Sequence, residues 1–208
     1  MDTTITTATQ MPDLERLEPV HTAGLQRVFG ILRMLLGFTF LWAFLDKAFA
    51  LGFTTGRILD DAGNTVRIDY FGSEAWIDGA SPTVGAIAFG LKGPFADTIQ
   101  SVTGFQMTQT GPVVDPWIDW FYMVSMLLIG LGLLTGVMTR LAAFGGIAWL
   151  AAFYAGTAIW PEHNPFVDEH VIYAVVLVGL VLANAGRYWG LGKIWQRVDF
   201  VKDRRYLY

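Results

Sequence analysis

Four long apolar runs with almost no charge set the strongest limit on how this chain can fold. They cover residues 28–45, 120–138, 141–160 and 171–186, and the first is interrupted only by Arg33. A bilayer core about 30 Å thick needs roughly 20 helical residues, so each run is long enough, or nearly so, to cross it. A composition that is 53% hydrophobic and only 15% charged is typical of a membrane protein.

These runs predict helices, because a spanning segment must satisfy its own backbone hydrogen bonds and none of the runs alternates with a period of two. We therefore predict an all-α membrane protein, a four-transmembrane-helix bundle with a long outer loop that contains a hairpin and short amphipathic helices. The transmembrane domain covers residues 25–187 in this prediction. Its spans are expected at about 25–47, 117–138, 140–160 and 168–186, with the outer loop at 48–116.

The basic residues indicate which side of the membrane each loop faces. Four spans place both termini on one side, and that side holds ten of the 14 lysines and arginines. The other side holds the remaining four, together with twelve of the 18 acidic residues. Because positive charge accumulates on the cytoplasmic side of multi-pass proteins, we expect both termini to be cytoplasmic.

The two ends of the chain are expected to lie outside the bundle. Residues 1–24 are rich in Thr and lack the basic start of a signal peptide, so they predict a flexible cytoplasmic arm. Residues 188–208 mix lysines and arginines with aromatic and aliphatic residues, which is typical of a segment lying in the inner membrane interface. Anionic lipid is its expected partner, and docking of a neighbouring subunit is the alternative.

The outer loop is much longer than a simple bundle needs. A turn at 61–64 predicts a hairpin, and Ser81 followed by Pro82 predicts the start of a short helix. A second short apolar stretch follows Gly93 and Pro94. Both apolar pieces are too short to span, so we expect them to cap the outer ends of the helices and form a pocket for a lipophilic headgroup such as a quinone. The alternative is a loop that only shields helix ends or binds a partner protein.

Ionisable residues are concentrated between residues 160 and 170, at the outer mouth of the predicted bundle. His163, Asp168, Glu169 and His170 are candidate catalytic residues for proton transfer, because histidine titrates near neutral pH and carboxylates can pass its proton outward. The alternative is capping of the fourth helix by Asp168, with the other groups solvated at the interface. A metal site is not predicted, since the spacing matches no ligand motif.

Three further residues are candidate ligand-binding residues. Arg33 is the only charge well inside a span, where it can extend to the interface, bind an anionic headgroup or pair with a neighbouring helix. Asp46 lies beside Lys47 at the outer end of the first span, near the expected position of residues 160–170, with which the two charges can pair. The alternative is a simple charge pair between Asp46 and Lys47 at the helix end. Trp160 is the first residue of the segment 160–170.

The residues that are absent or rare exclude several classes of chemistry. Without cysteine there is no disulfide, thiol nucleophile, Cys-ligated zinc, iron–sulfur centre or covalently attached haem. A net charge of −4 argues against a nucleic-acid partner. Gly132 and Gly136 form a GxxxG pair that, with other pairs of small residues, predicts closely packed helices. Close packing and the scarcity of carboxylates within the spans argue against a channel or a proton-coupled transporter.

Six short motifs occur in order along residues 25–195. They are Ser-Pro-Thr-Val-Gly at 81–85, Gly-Pro-Phe-Ala at 93–96, Gly-Leu-Gly-Leu-Leu-Thr-Gly at 130–136 with Arg140 after it, Asn-Pro-Phe-Val-Asp-Glu-His-Val-Ile-Tyr-Ala at 164–174, Ala-Gly-Arg at 185–187 and Gly-Leu-Gly at 190–192. In combination they resemble the DoxX/DoxD family.

This resemblance implies a four-helix protein of the prokaryotic cell membrane. The DoxD branch supplies the large subunit of thiosulfate:quinone oxidoreductase, and other members are accessory proteins of membrane redox or oxidative-stress complexes. The resemblance therefore implies a quinone-associated integral membrane subunit of an oxidoreductase, with quinone as the bound molecule. Lipids, other membrane subunits or a second copy of the chain are the expected partners. The alternative is a non-catalytic accessory subunit packed against a larger respiratory-chain complex.

Overall fold

The computed structural model describes residues 23–161 and 165–207, and these residues are mostly helical. The described residues contain seven α-helices, namely α1 (Ala23–Phe49), α2 (Ala96–Val102), α3 (Pro116–Thr135), α4 (Thr139–Phe153), α5 (Glu169–Leu182), α6 (Gly192–Trp195) and α7 (Asp199–Lys202). They also contain two π-helical segments, Ala86–Gly90 and Tyr154–Ala158, and three 3₁₀ helices, Trp76–Asp78, Ala185–Arg187 and Arg205–Leu207. The predicted arm at 1–24 lies outside the described residues except for its last two, which begin α1.

Two small antiparallel hairpins lie between α1 and α3. β1 (Arg57–Leu59) pairs with β2 (Thr65–Ile68), and β3 (Gln106–Thr108) pairs with β4 (Gly111–Val113). The first confirms the predicted hairpin. The second has no sequence signal, because the residues in its turn, Gln109 and Thr110, do not form one of the dipeptides that favour tight hairpin turns.

Asp60 organises the turn of the first hairpin. One oxygen of its carboxylate accepts hydrogen bonds from the backbone N–H groups of Ala62 at 3.0 Å and Asn64 at 2.8 Å. These bonds, chiefly those from Asn64, lower the pKa of Asp60. The turn is therefore fixed by a short polar side chain.

The four longest helices pack against one another. α1 packs mainly on α3, and α4 packs on both α3 and α5. The large side chains that are fully buried between them include Met123, Met126, Leu133, Leu177 and Leu180. These helices therefore form one packed body, on which the loop between α1 and α3 and the C-terminal segment are arranged.

Two glycines let α1 and α3 approach each other closely. A Cβ added at Gly37 would lie 2.7 Å from the backbone nitrogen of Leu134, and one added at Gly130 would lie 2.6 Å from that of Leu41. Real Cβ atoms are not found so close to a backbone, so both positions require glycine at this helix spacing. The predicted close packing is confirmed at this crossing.

The predicted GxxxG pair does not act as one unit at that crossing. A Cβ added at Gly132 would lie 2.9 Å from the Cβ of Ala142 on α4, so Gly132 faces the neighbouring helix of the α3–α4 hairpin. Gly136 instead ends α3, with a left-handed φ of 78°. Sequence spacing alone does not distinguish a glycine in a helix interface from a glycine that ends a helix.

Regular α-helix covers two of the four predicted spans only in part. α1 and α3 are each long and apolar enough to cross a membrane. The predicted third span at 140–160 is shorter as a regular helix, because α4 gives way to a π-helical segment before Pro161. The predicted fourth span at 168–186 is also shorter, because α5 has 14 residues and stops before Asn184, which has a left-handed φ of 49°. Fourteen residues reach about 21 Å.

Candidate functional site

A carboxylate–imidazole pair lies at the start of α5. Asp168 is the N-cap residue, and its Oδ1 accepts a hydrogen bond from the backbone N–H of Val171 at 3.2 Å. Its Oδ2 lies 2.6 Å from Nδ1 of His170. The side chains of Asp168 and His170 are 9% and 22% exposed, so the pair is largely shielded but still reachable. The predicted capping role of Asp168 is confirmed, and the structure places His170 in contact with it.

This contact determines how the imidazole can handle a proton. A carboxylate is ordinarily ionised at neutral pH, and its oxygens then only accept hydrogen bonds. An ionised carboxylate has no proton to donate, so Nδ1 of His170 carries the hydrogen in this contact. Nε2 of the neutral imidazole is then the atom that can accept a proton.

An aromatic cluster extends from His170 into the helix bundle. The ring centroids of His170 and Phe153 are 5.9 Å apart, and those of Phe153 and Trp149 are 5.4 Å apart. Tyr122 on α3 stands edge-on to Trp149 at 5.3 Å. The Trp149 indole donates a hydrogen bond of 2.7 Å to Ser125 Oγ. The cluster therefore places a flat apolar surface beside a group that can transfer a proton.

The loop between α1 and α3 packs on the end of α4, as the predicted cap requires. The backbone carbonyl of Gly156 accepts hydrogen bonds from the N–H groups of Lys92 and Gly93, both at 3.0 Å. Gly156 lies in the π-helical segment, where the ordinary helical bonding pattern is interrupted. Close approach is needed here, since a Cβ added at Gly93 would lie 2.4 Å from the Ala155 carbonyl oxygen. The cap and the chain leading to His170 are thus in direct contact.

A buried carboxylate on α3 holds the first part of this cap. Asp119 is 8% exposed and accepts hydrogen bonds from Ser81 Oγ at 2.9 Å and Thr83 Oγ1 at 2.6 Å. Ser81 Oγ in turn accepts a hydrogen bond from the backbone N–H of Val84 at 3.1 Å, and the short helical segment predicted to start at Ser81 begins a few residues later. No local sequence signal indicates this role of Asp119, because its partners lie 36 and 38 residues earlier in the chain.

An apolar groove of about 650 Å³ runs between α3 and α4. Phe121, Trp149 and Ala152 lie at the end nearest the aromatic cluster, and Val137 and Leu141 lie at the opposite end, by the turn between the helices. Ser125 and Thr135 are the only residues in its lining with a side-chain hydroxyl. The groove therefore fits a long hydrocarbon chain better than a polar ligand.

The other residues predicted for the site have different positions. Glu169 is exposed in the first turn of α5, and Trp160 is 72% exposed with its ring 6.1 Å from that of Phe166. His163 lies outside the described residues, so its proposed part in proton transfer stays a prediction. The ligand atoms of Asp168, Glu169 and His170 all lie within 4.8 Å of one another.

Asp46 has a structural role at the end of α1. It is 1% exposed, and its carboxylate accepts hydrogen bonds from the backbone N–H groups of Phe53 at 2.9 Å and Thr54 at 2.8 Å, and from Thr54 Oγ1 at 2.5 Å. Lys47 donates to Thr54 Oγ1 at 3.2 Å. In the part of the chain that the structure describes, these groups bind the start of the outer loop and make no hydrogen bond to the segment around His170. Ligand binding by Asp46 stays a prediction.

Arg33 is 0% exposed and connects distant backbone segments. Its Nη1 donates hydrogen bonds to the carbonyls of Leu133 and Leu134 at the end of α3. Its Nη2 donates to the carbonyls of Tyr188 and Trp189, both at 2.9 Å. Of the three alternatives for Arg33, the structure shows contact with a neighbouring helix, α3. Extension to the interface and binding of an anionic headgroup stay predictions. Carbonyls at a helix end lack partners within the helix, so the guanidinium fork satisfies them.

The motifs at 130–136 and 185–192 meet around this arginine. A Cβ added at Gly136 would lie 2.5 Å from the Gly186 carbonyl oxygen, and one added at Gly190 would lie 2.4 Å from that of Thr135. The same added atoms would lie 3.1 and 3.0 Å from the Arg33 guanidinium. These glycines are therefore needed for backbone packing at the end of the bundle opposite His170.

Comparison with known proteins gives no further assignment. The chain matches no protein-family model, no curated protein and no solved structure.

Proposed function

We propose that this chain is an integral membrane protein with four spans and both termini in the cytoplasm. Its helices carry large apolar side chains on outward-facing surfaces, with Leu35 58%, Phe144 71% and Leu182 81% exposed. Such surfaces are unfavourable in water and favourable against lipid chains. In the proposal, α1, α3, α4 with its π-helical extension, and α5 with its flanking residues form the spans.

Within the membrane, the proposed role is that of a quinone-associated subunit of an oxidoreductase. The observation that carries this proposal is the continuity of three features. His170 with Asp168 supplies a proton-transfer group, the cluster of Phe153 and Trp149 supplies flat surfaces for a ring, and the α3–α4 groove begins at Trp149. A quinone needs each of these, since it has a polar ring that exchanges protons and a long apolar tail.

The proposed reaction requires this chain to transfer protons but not to carry electrons. Reduction of a quinone to the quinol takes up two electrons and two protons. The electrons would come from a redox partner subunit, because the chain has no cysteine with which to bind an iron–sulfur cluster. Nε2 of His170 would first take a proton from solvent, the Asp168 carboxylate would stabilise the imidazolium so formed, and the imidazolium would then donate that proton to a ring oxygen. The second proton would come from solvent.

This proposal agrees with the resemblance to the DoxX/DoxD family. The motif at 164–174 includes the Asp168–His170 pair, and the motif at 93–96 begins at Gly93, which packs on the π-helical segment of α4. The motifs at 130–136 and 185–192 surround Arg33. A subunit of a thiosulfate:quinone oxidoreductase, or of a complex related to one, is the form of the proposal that these positions support.

A non-catalytic accessory subunit is the second proposal. Small residues in the lining of the α3–α4 groove favour it, because Gly145, Ala148 and Ala152 would let a helix of a larger complex pack closely there. The two proposals differ in what fills the groove, a quinone tail or a partner helix.

Substitution of Ala148 by phenylalanine should separate these proposals. Ala148 lines the groove and is exposed, so a phenyl ring there would occupy the space of a bound tail. Overpacking of this kind costs about 1–3 kcal/mol, and we expect the quinone bound per mole of protein to fall about tenfold or more. The measurement is extraction and chromatographic quantification of quinone from protein purified in a mild detergent.

Ala151→Phe is the matched control. Ala151 lies on the same helix and is exposed, but it does not line the groove. We expect it to keep the bound quinone of the parent protein. Equal quinone content in both variants would contradict binding in the groove, and loss of a co-purifying membrane subunit only in Ala148→Phe would support the accessory role.

A further inference from the structure

The C-terminal segment carries a charge opposite to that of the rest of the chain. Residues 185–207 contain six basic and two acidic residues, a net charge of +4, whereas the whole chain has a net charge of −4. Three of the basic side chains, Arg187, Lys193 and Arg197, are exposed, and the structure shows no hydrogen bond or ion pair for them among the described residues. This segment therefore presents unneutralised positive charge.

Large apolar side chains are exposed in the same segment. Trp189 is 56%, Leu191 54%, Ile194 65% and Phe200 63% exposed. Exposed cations interleaved with exposed aromatic and aliphatic side chains are the composition of segments that lie in a membrane interface.

The segment is nevertheless folded. Val201 is fully buried, and the Trp195 indole donates a hydrogen bond of 2.6 Å to the carbonyl of Leu207. The 3₁₀ helix Arg205–Leu207 also packs on α4. The segment therefore has a small core of its own, and its exposed apolar side chains are not part of that core.

Hydrogen bonds fix the segment at the end of the helix bundle. The backbone N–H of Leu191 donates to the carbonyl of Thr135, the last residue of α3, at 2.7 Å. Arg33 on α1 donates hydrogen bonds to the carbonyls of Tyr188 and Trp189 at the same level as the end of α3. If α1 and α3 cross a bilayer, this level is the membrane surface, so the segment lies where lipid headgroups lie.

We propose that residues 185–207 form a binding surface for anionic phospholipid, with Arg187, Lys193 and Arg197 contacting the phosphates. Charge complementarity identifies the lipid class, because a zwitterionic headgroup would not neutralise these three cations. The proposal rests on the membrane insertion proposed above, and it is independent of quinone binding.

Native mass spectrometry of the full chain in mild detergent tests the proposed binding of anionic phospholipid. Dioleoyl phosphatidylglycerol and dioleoyl phosphatidylcholine are supplied at equal concentration. We expect the parent protein to retain phosphatidylglycerol in preference. Each basic side chain near an anionic surface contributes about a fivefold preference. The triple variant Arg187→Gln, Lys193→Gln, Arg197→Gln should therefore reduce the preference by more than about tenfold.

The matched control removes three positive charges from the outer loop. Arg57→Gln, Arg67→Gln and Lys92→Gln change exposed residues on the other side of the proposed membrane and should leave the preference unchanged. Equal retention of the two lipids by the parent protein, or an equal loss in both triple variants, would overturn the proposal. Carbonate washing of native membranes tests insertion separately. A chain that resists extraction but does not discriminate between the lipids contradicts only this inference, and a chain that is extracted contradicts the proposed function.

Discussion

Arg33→Ala should destabilise the folded protein by about 3 kcal/mol or more. The buried guanidinium donates four hydrogen bonds to backbone carbonyls, two at the end of α3 and two in the segment after α5. Without it, these carbonyls lose their donors in a buried site. We expect a large fall in the midpoint of thermal unfolding in detergent, followed by scanning fluorimetry, and a low yield of monodisperse protein.

Arg27→Ala provides the control for this prediction. Arg27 lies on the same helix, is exposed, and makes no hydrogen bond or ion pair among the described residues. Its removal should leave the unfolding midpoint almost unchanged. Arg33→Lys should lie between the two, because a lysine keeps the charge but cannot reach four carbonyls with a planar fork. Equal midpoints for Arg33→Ala and Arg27→Ala would show that the network around Arg33 does not hold the bundle together.

His170→Ala should lower quinone-dependent turnover by about 100-fold or more, which is the usual contribution of a positioned general acid–base group. The imidazole is the group that the structure places between the Asp168 carboxylate and the aromatic ring of Phe153. Its side chain is 22% exposed and is not part of the main core, so the yield of folded protein should not change. The assay uses the purified assembly with thiosulfate as electron donor and a short-tailed quinone as acceptor.

His21→Ala is the control of the same residue type, because the sequence places His21 in the arm predicted for the opposite side of the membrane. Asp168→Asn adds a second readout. Asparagine can still cap α5, but it no longer provides the negative charge that stabilises the imidazolium. We expect this variant to shift the pH profile of turnover and not only its height. Full turnover in His170→Ala would remove this residue from the mechanism.

Local sequence signals predicted those features of the fold that depend on neighbouring residues. The turn after Asp60, the contact between Ser81 and Val84 and the cap at Asp168 each use a short polar side chain that bonds to the backbone a few residues away. Such signals are readable because the partner atoms are fixed by chain connectivity. The apolar runs likewise predicted the helices.

Contacts between distant residues could not be predicted in the same way. The partners of Arg33 are 100 to 156 residues away, and the partners of Asp119 lie in a different part of the chain. The π-helical segment after α4 is bonded at Gly156 by the amides of Lys92 and Gly93, which lie more than 60 residues earlier in the chain. One signal did exist for the network around Arg33, since glycines are dense at 130–136 and 185–192, where the backbones meet.

The aromatic part of the candidate site has a partial signal in the sequence. Trp149 and Phe153 are four residues apart and therefore lie on the same face of α4. The sequence does not show that this face meets Tyr122 of α3 and His170 of α5, because that depends on how the three helices pack.

Photolabelling with a quinone analogue that carries a diazirine at the end of its tail tests the central claim most directly. Membranes containing the protein are irradiated with and without an excess of natural quinone, and the labelled peptides are sequenced. If the ring lies beside His170 and the tail follows the groove, the label should fall on the turn around Val137, Met138 and Leu141, and natural quinone should prevent it. Labelling confined to the outward face of α1, or labelling that natural quinone does not reduce, would contradict the account.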